Sequence, residues 1–82
     1  MPDEERITQE VNTRMAYTGR IVGEMDATRL GSDEREIFSS IQDFLAKARE
    51  ALATKDLPRA QILADKAAKL ADDLAASLRK SR

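Results

Sequence analysis

The feature that most constrains this chain is a very short break between two helical patterns. Residues 44–54 and residues 57–74 both carry alanine and leucine at helical spacing, so each segment has a face that must be buried. Lys55 and Asp56 separate them, and Pro58 falls where the first turn of a new helix would lie. Two matched faces joined by so short a connection predict an antiparallel helical hairpin.

Helical patterns continue through the rest of the chain, and no segment alternates polar and apolar residues as a strand does. We expect helices at about 3–30, 33–54 and 57–80. Two short connections would arrange them as an all-α, up-down-up three-helix bundle forming one domain, 1–82. Because a domain of 82 residues has a small core, dimerisation through helix 1 is a reasonable expectation.

Capping residues suggest where each helix ends. Gly31 stands where the left-handed residue after a helix belongs, which would place the end of helix 1 at Leu30. Asp33 and Glu36 have the spacing of a capping box, which predicts the start of helix 2. Asp56 is expected to cap helix 3.

Each predicted helix carries one apolar stripe, as expected when successive side chains are about 100° apart. The helix 1 stripe comprises Ile7, Val11, Met15, Thr18, Ile21, Val22 and Met25. The helix 2 stripe comprises Ile37, Phe38, Ile41, Phe44, Leu45, Ala48, Ala51 and Leu52. The helix 3 stripe comprises Leu57, Ala60, Leu63, Ala64, Ala67, Leu70, Ala71, Leu74 and Leu78. We expect the three stripes to form a common core, so Leu63→Ala or Leu70→Ala should cost roughly 2 to 4 kcal/mol.

Charged residues are balanced and interspersed along the chain. There are 15 acidic and 14 basic residues, for a formal net charge of −1, which argues against a surface dedicated to nucleic acid or anionic membranes. The i, i+4 spacing predicts a charged series of Arg6, Glu10 and Arg14 on helix 1, and a pair of Asp43 with Lys47 on helix 2.

The composition also removes most catalytic and metal chemistry. Without cysteine or histidine, the chain lacks thiolate sites and the commonest general base and transition-metal ligand. Ser39-Ser40 has no nearby base, and the adjacent carboxylates of Asp72 and Asp73 would point about 100° apart on a helix. We expect no enzyme activity, no cofactor, no metal and no small-molecule substrate. We also expect neither a signal peptide nor a membrane span, and the compartment is left open.

Residues 44–74 resemble one hairpin of the tetratricopeptide repeat. Aligning Ala60 with that family's helix B alanine places Phe44 on its large aromatic position. Ala48 then falls on the small residue of helix A, and Ala67 on the second alanine of helix B. The match covers about one repeat, and no second copy is present. The resemblance implies a helical hairpin and a role in protein binding, but it identifies no peptide-binding residues.

Helix 1 carries a second stripe of small residues, Ala16, Gly19, Gly23 and Ala27, roughly 130° around from its apolar stripe. Each glycine weakens a helix interior by about 1 kcal/mol relative to alanine, and close approach of another helix is the usual compensation. We hypothesise that these four residues and Ile62, off the apolar stripe of helix 3, form an interface. Alternatively, the small residues face the hairpin or are tolerated at the surface.

These observations predict a non-catalytic helical protein-interaction or self-assembly module. It would act through helix-face contacts with another protein or with a second copy of the chain. One alternative is a nucleic-acid-associated accessory protein that uses the basic residues of helix 1 and of the tail, residues 79–82. Another is an enzyme subunit or ligand-binding bundle with an enclosed polar pocket.

Overall fold

The computed structural model describes residues 2–80 and is helical almost throughout. Helix α1 spans Pro2–Gly23, α2 spans Ser32–Ala53 and α3 spans Leu57–Lys80. A single 3-10 turn, Ala27–Arg29, lies in the connection between α1 and α2. The predicted all-α, three-helix architecture is therefore confirmed.

The helices run up, down and up, so α1 and α3 are parallel and α2 is antiparallel to both. Helix α3 packs along α1 and along α2, whereas α1 and α2 touch over a much shorter stretch. The bundle measures 47 × 17 × 16 Å, and the 24 residues of α3, about 36 Å of helix, run along its long axis. Helix α3 is thus the element on which the other two helices are held.

The turn between α2 and α3 closes through a Schellman motif. The N–H of Asp56 donates to the carbonyl oxygen of Ala51 at 2.8 Å, and that of Lys55 donates to Leu52 at 3.0 Å. Lys55 occupies the left-handed position of this motif, with φ of 60°, although glycine is the residue usually found there. Both bonds satisfy carbonyl groups that a helix end would otherwise leave open, and the chain reverses within three residues.

Asp56 then caps α3, as the sequence predicts. Its carboxylate Oδ1 accepts from the N–H of Arg59 at 3.4 Å, and its carbonyl oxygen accepts from the N–H of Ala60 at 3.0 Å. Pro58 lies in the first helical turn, where its missing N–H removes no helical bond. The helical hairpin therefore follows from the two residues of the break.

Helix α1 ends at Gly23, and the expectation that it continues to Leu30 is wrong. The N–H of Met25 donates to the carbonyl oxygen of Val22 at 3.1 Å, so the last turn tightens before the helix stops. Asp26 then accepts a hydrogen bond from the N–H of Thr28 at 3.0 Å. A short acidic side chain that bonds to nearby backbone competes with helix formation, and Asp26 caps the 3-10 turn in this way.

Helix α2 begins with a cap other than the predicted one. Gly31, with φ of −72°, is the N-cap, so it is not the left-handed end of helix 1. Its N–H donates to the Glu34 carboxylate at 2.8 Å, which supplies half of a capping box two residues before the predicted Asp33 and Glu36 pair. Burial of Leu30, only 6% exposed, draws the connection back onto the bundle and sets this register.

The core consists of two apolar clusters stacked along the bundle. The first is built from Val11, Ala48, Ala51, Ala60, Leu63 and Ala64. The second is built from Val22, Ile41, Leu45, Ala67, Ala71 and Leu74. Every residue of the three predicted stripes is buried or half-buried. Thr18, the polar member of the helix 1 stripe, is fully buried, and its hydroxyl donates to the carbonyl oxygen of Arg14 at 2.8 Å. Leu70 is half-buried, while Ala68, outside the predicted stripe, is buried against α1.

Candidate functional site

The hypothesised interface residues of α1 lie on an open surface. Ala16, Gly19 and Gly23 are all exposed, and we call them the small face of α1. A Cβ atom added to either glycine would meet no neighbouring atom within 4 Å. The alternative in which the small residues face the hairpin is therefore wrong. Ala27 lies in the 3-10 turn after α1 has ended, so it does not continue this face.

Ile62 belongs to a different surface. It is 56% exposed and lies on α3 one turn before Asp65 and Lys66. Asp65 reaches across to Arg14 of α1, whereas the Lys66 ammonium lies 5.9 Å from the centroid of the Phe44 ring on α2. Ile62 thus points to solvent between the two flanks of α3. The structure does not bring it together with the small face of α1.

A groove of about 520 Å³ follows the seam between α1 and α3. Its lining comprises Arg6, Gln9, Glu10, Thr13, Arg14, Tyr17, Ala68 and Asp72. Two polar contacts cross the seam. The Tyr17 hydroxyl donates to Asp72 at 2.8 Å, and the Arg14 guanidinium lies 3.0 Å from the Asp65 carboxylate. These contacts fasten α1 to α3 from the solvent side.

Sequence patterns did not indicate these cross-helix pairs. In the predicted series of Arg6, Glu10 and Arg14, Glu10 lies 4.0 Å from Arg6, whereas Arg14 turns to α3. The available signal was the spacing of Asp65 and Asp72, which are two helical turns apart and therefore share one flank of α3. The predicted pair of Asp43 and Lys47 is confirmed at 3.0 Å.

Two acid–base groups are shifted from their ordinary ionisation. The hydrogen bond to Asp72, together with its negative charge, raises the pKa of Tyr17 above the usual 10.0. Hydrogen bonds from the Thr28 hydroxyl and N–H lower the pKa of Asp26 below the usual 3.8. The raised pKa of Tyr17 reflects its contact across the α1–α3 seam, and the lowered pKa of Asp26 reflects its hydrogen bonds within the connection after α1.

The remaining concave surfaces are shallow and open. One groove lies at the turn end of the bundle, between the first turns of α1 and Leu52, Lys55 and Leu57. Another lies along α2 and is closed on one side by Leu70 of α3. Within residues 2–80, acidic side chains do not gather in threes as a metal site would require. Every buried side-chain nitrogen or oxygen in that part of the chain has a hydrogen-bond partner.

Some of the basic residues offered for nucleic-acid binding have acidic partners, and part of the tail lies outside the described residues. Arg6 is within 4.0 Å of both Asp3 and Glu10, and Arg14 pairs with Asp65. Of the basic tail, residues 81–82 lie outside the described residues. Among the described helices, none has an apolar stretch long enough to cross a bilayer.

Comparisons with protein-family models, curated proteins and solved structures gave no match to this chain.

Proposed function

We propose that the chain is a non-catalytic helical protein-interaction or self-assembly module that acts through the small face of α1. The observation that carries this proposal is the pair of exposed glycines, Gly19 and Gly23, one turn apart within a single helix. Gly19, inside the helix, weakens it by about 1 kcal/mol relative to alanine, whereas Gly23 is the last residue of the helix, and the space around both is open.

The small face of α1 could contact a helix of another molecule, because nothing within the fold packs against its two glycines. Without Cβ atoms at Gly19 and Gly23, a second backbone can approach α1 closely, and Ala16 extends the same flat surface by one turn. The large apolar side chains of α1 are already committed to the core, where Val11 and Val22 are buried. The small face is therefore free for an external partner without disturbing the bundle.

Two further observations support a protein-contact role. The resemblance of residues 44–74 to a tetratricopeptide hairpin implies protein binding, although it provides no binding residues of its own. Two of the three arginines of α1 favour a protein partner over nucleic acid, because Arg6 and Arg14 are paired with acidic side chains. Binding by neutral small residues would depend weakly on salt, whereas nucleic-acid binding would weaken steeply.

The test compares two double variants of the small face. Gly19→Ala with Gly23→Ala keeps the surface flat, whereas Gly19→Leu with Gly23→Leu fills it. Because the space is open, both pairs should raise the melting temperature of the isolated chain. We expect only the leucine pair to lose association, measured as mass by light scattering and as capture of a cross-linked partner.

The control is Ala46→Leu, which adds the same side chain at an exposed position of α2. It should leave association unchanged, since it lies on another helix. If the leucine pair stabilises the chain and retains every association of the wild type, the small face is not a contact surface and the proposed function is wrong.

A further inference from the structure

We propose that the seam between α1 and α2 binds a helix of another protein, and that this helix has an acidic flank whose carboxylates meet Arg35 and Arg49 of α2. The inference rests on the proposed function and deepens it by naming the chemistry of the partner. Gly19 of the small face belongs to the same seam, because it lies one turn after Met15, which faces the core beside α2.

The α1–α2 seam is the least closed of the three seams in the bundle. Helix α1 touches α2 over a short stretch only, whereas both helices pack along α3. Met15 of α1, and Phe38 and Leu52 of α2, are large apolar side chains that remain half-buried. At the turn end, Thr8 and Leu52 line one open groove of about 510 Å³. Apolar surface is therefore available along this seam for a further helix.

The apolar stripe of α2 has two edges that face different neighbours. One edge carries Phe44, whose ring centroid lies 5.9 Å from the Lys66 ammonium of α3. The other edge is roughly 100° around the helix and faces α1. It comprises Phe38, Leu45 and Leu52. These three residues recur every seven positions, which is the spacing with which a coiled-coil helix meets its partner.

A row of polar residues follows this edge on its solvent side, again at intervals of seven. It comprises Arg35, Gln42 and Arg49, all exposed. In a coiled coil, such flanking positions select the partner helix by their charge. The ion pairs among the described residues include neither Arg35 nor Arg49. The row is therefore a cationic edge, about 21 Å long by the helical rise, that lacks an acidic partner in this part of the chain.

The facing edge of α1 does not supply the missing acids. That edge comprises Glu5, Asn12 and Gly19, and only Glu5 is charged. Glu5 lies at the turn end, far from Arg35 in the first turn of α2. Asp26, the next residue in the series, lies beyond α1 and is 3.7 Å from Arg29. A helix in the seam would thus approach Gly19 closely on one flank and meet the cationic edge on the other, which favours acidic residues there.

The chain itself has no spare helix to fill the seam of a second copy. The apolar stripes of α1, α2 and α3 are already buried or half-buried in their own core. Within residues 2–80, the exposed large apolar side chains are Tyr17 and Ile62, which lie on different helices. The occupant is therefore an amphipathic helix of another protein.

Peptide binding tests the charge of the partner. The probe is a fluorescein-labelled helical peptide of three heptads, with leucine at positions a and d and glutamate at e and g. Its match has lysine in place of every glutamate. Anisotropy titrations of the full chain measure both dissociation constants. We expect the glutamate peptide to bind at least about tenfold more tightly, because each exposed ion pair changes affinity by up to about fivefold and two arginines contribute.

Charge reversal locates the site. Arg35→Glu with Arg49→Glu should weaken binding of the glutamate peptide by at least about tenfold and strengthen binding of the lysine peptide. The gained affinity also shows that this variant is folded. The matched control, Arg59→Glu with Lys69→Glu, makes the same change in net charge at exposed positions of α3. It should leave both dissociation constants unchanged.

Several outcomes would overturn the acidic partner. They are failure of the glutamate peptide to bind, equal binding of the two peptides, and equal responses to the two charge-reversed variants. Tighter binding of a single-stranded oligonucleotide would indicate a nucleic-acid site instead, and doubling of the mass with exclusion of the peptide would indicate a second copy in the seam. If the peptides show no charge preference while Gly19→Leu with Gly23→Leu still loses association, the small face remains a contact surface, so the two proposals fail separately.

Discussion

Helix α3 holds its two neighbours by different means. Towards α2 it presents buried alanines and leucines, and a three-residue turn joins the pair through backbone hydrogen bonds. Towards α1 it contributes a narrower apolar contact, with polar pairs on the solvent side, and the longer connection after α1 is held by exposed hydrogen bonds and by the buried side chain of Leu30. The comparison teaches that the hairpin is stabilised by its local turn, whereas the position of α1 depends on tertiary contact.

The largest effect is expected at Leu63, whose cluster contains side chains from both neighbours. Leu63→Ala should lower the free energy of unfolding by roughly 2 to 4 kcal/mol, because a cavity is left beside Val11 and Ala48. The matched control is Ile62→Ala, next along the chain but 56% exposed, which should change stability by less than about 0.5 kcal/mol. Chemical denaturation measures the free energy of unfolding of both variants. Equal losses would show that Leu63 is not on the buried side of α3 or that Ile62 is not on the exposed side.

Val11→Ala tests whether α1 is separable. Val11 is 2% exposed, and its truncation should cost about 1.5 to 2.5 kcal/mol. We expect hydrogen exchange to rise first in the amides of α1, while those of α2 and α3 keep their protection. Uniform loss of protection over all three helices would mean that the bundle opens as one unit.

Glycine at position 55, in the turn between α2 and α3, should increase the stability of the fold. Lys55 has φ of 60°, a conformation that disfavours side chains with a Cβ atom, so Lys55→Gly should raise stability by about 1 kcal/mol. Ala53→Gly, two residues earlier in the last turn of α2, should instead lower stability because the helix is weakened. Thermal melts of the two variants should therefore move in opposite directions, and a shift of both in one direction would contradict the proposed strain at Lys55.

The smallest expected effect is the alkaline titration of the α1–α3 seam. The folded pKa of Tyr17 is raised, so its hydrogen bond to Asp72 contributes fully below the unfolded pKa of about 10. That contribution is lost as the pH rises through the higher folded pKa. Tyr17 is the single tyrosine, so phenolate absorbance reports it directly.

Asp72→Asn should lower the pKa of Tyr17 towards its ordinary value, and Tyr17→Phe should remove this alkaline loss of stability. A titration of Tyr17 that is the same with and without the Asp72 carboxylate would show that the seam is not held by this pair.

Local sequence predicted the hairpin well. The break at Lys55 and Asp56 contains both the end of α2 and the cap of α3, so no distant contact was needed to locate it. The α3 stripe was also predicted closely, since alanine and leucine repeat at the helical period. The small face of α1 was correctly placed on an exposed surface as far as Gly23, whereas its continuation through Ala27 depended on a helix that had already ended.

The sequence by itself determined the helical class, the hairpin and most of the core, because caps and apolar periods act within a few residues. The end of α1 combines both levels, since the hydrogen bonds from Thr28 to Asp26 are local, whereas the burial of Leu30 depends on the tertiary structure. Only the tertiary structure decided that Arg14 pairs across the seam with Asp65. An exposed ion pair is worth about 1 kcal/mol or less, which is too little to position a helix. The packing of α1 on α3 therefore comes first, and it brings Arg14 close to Asp65.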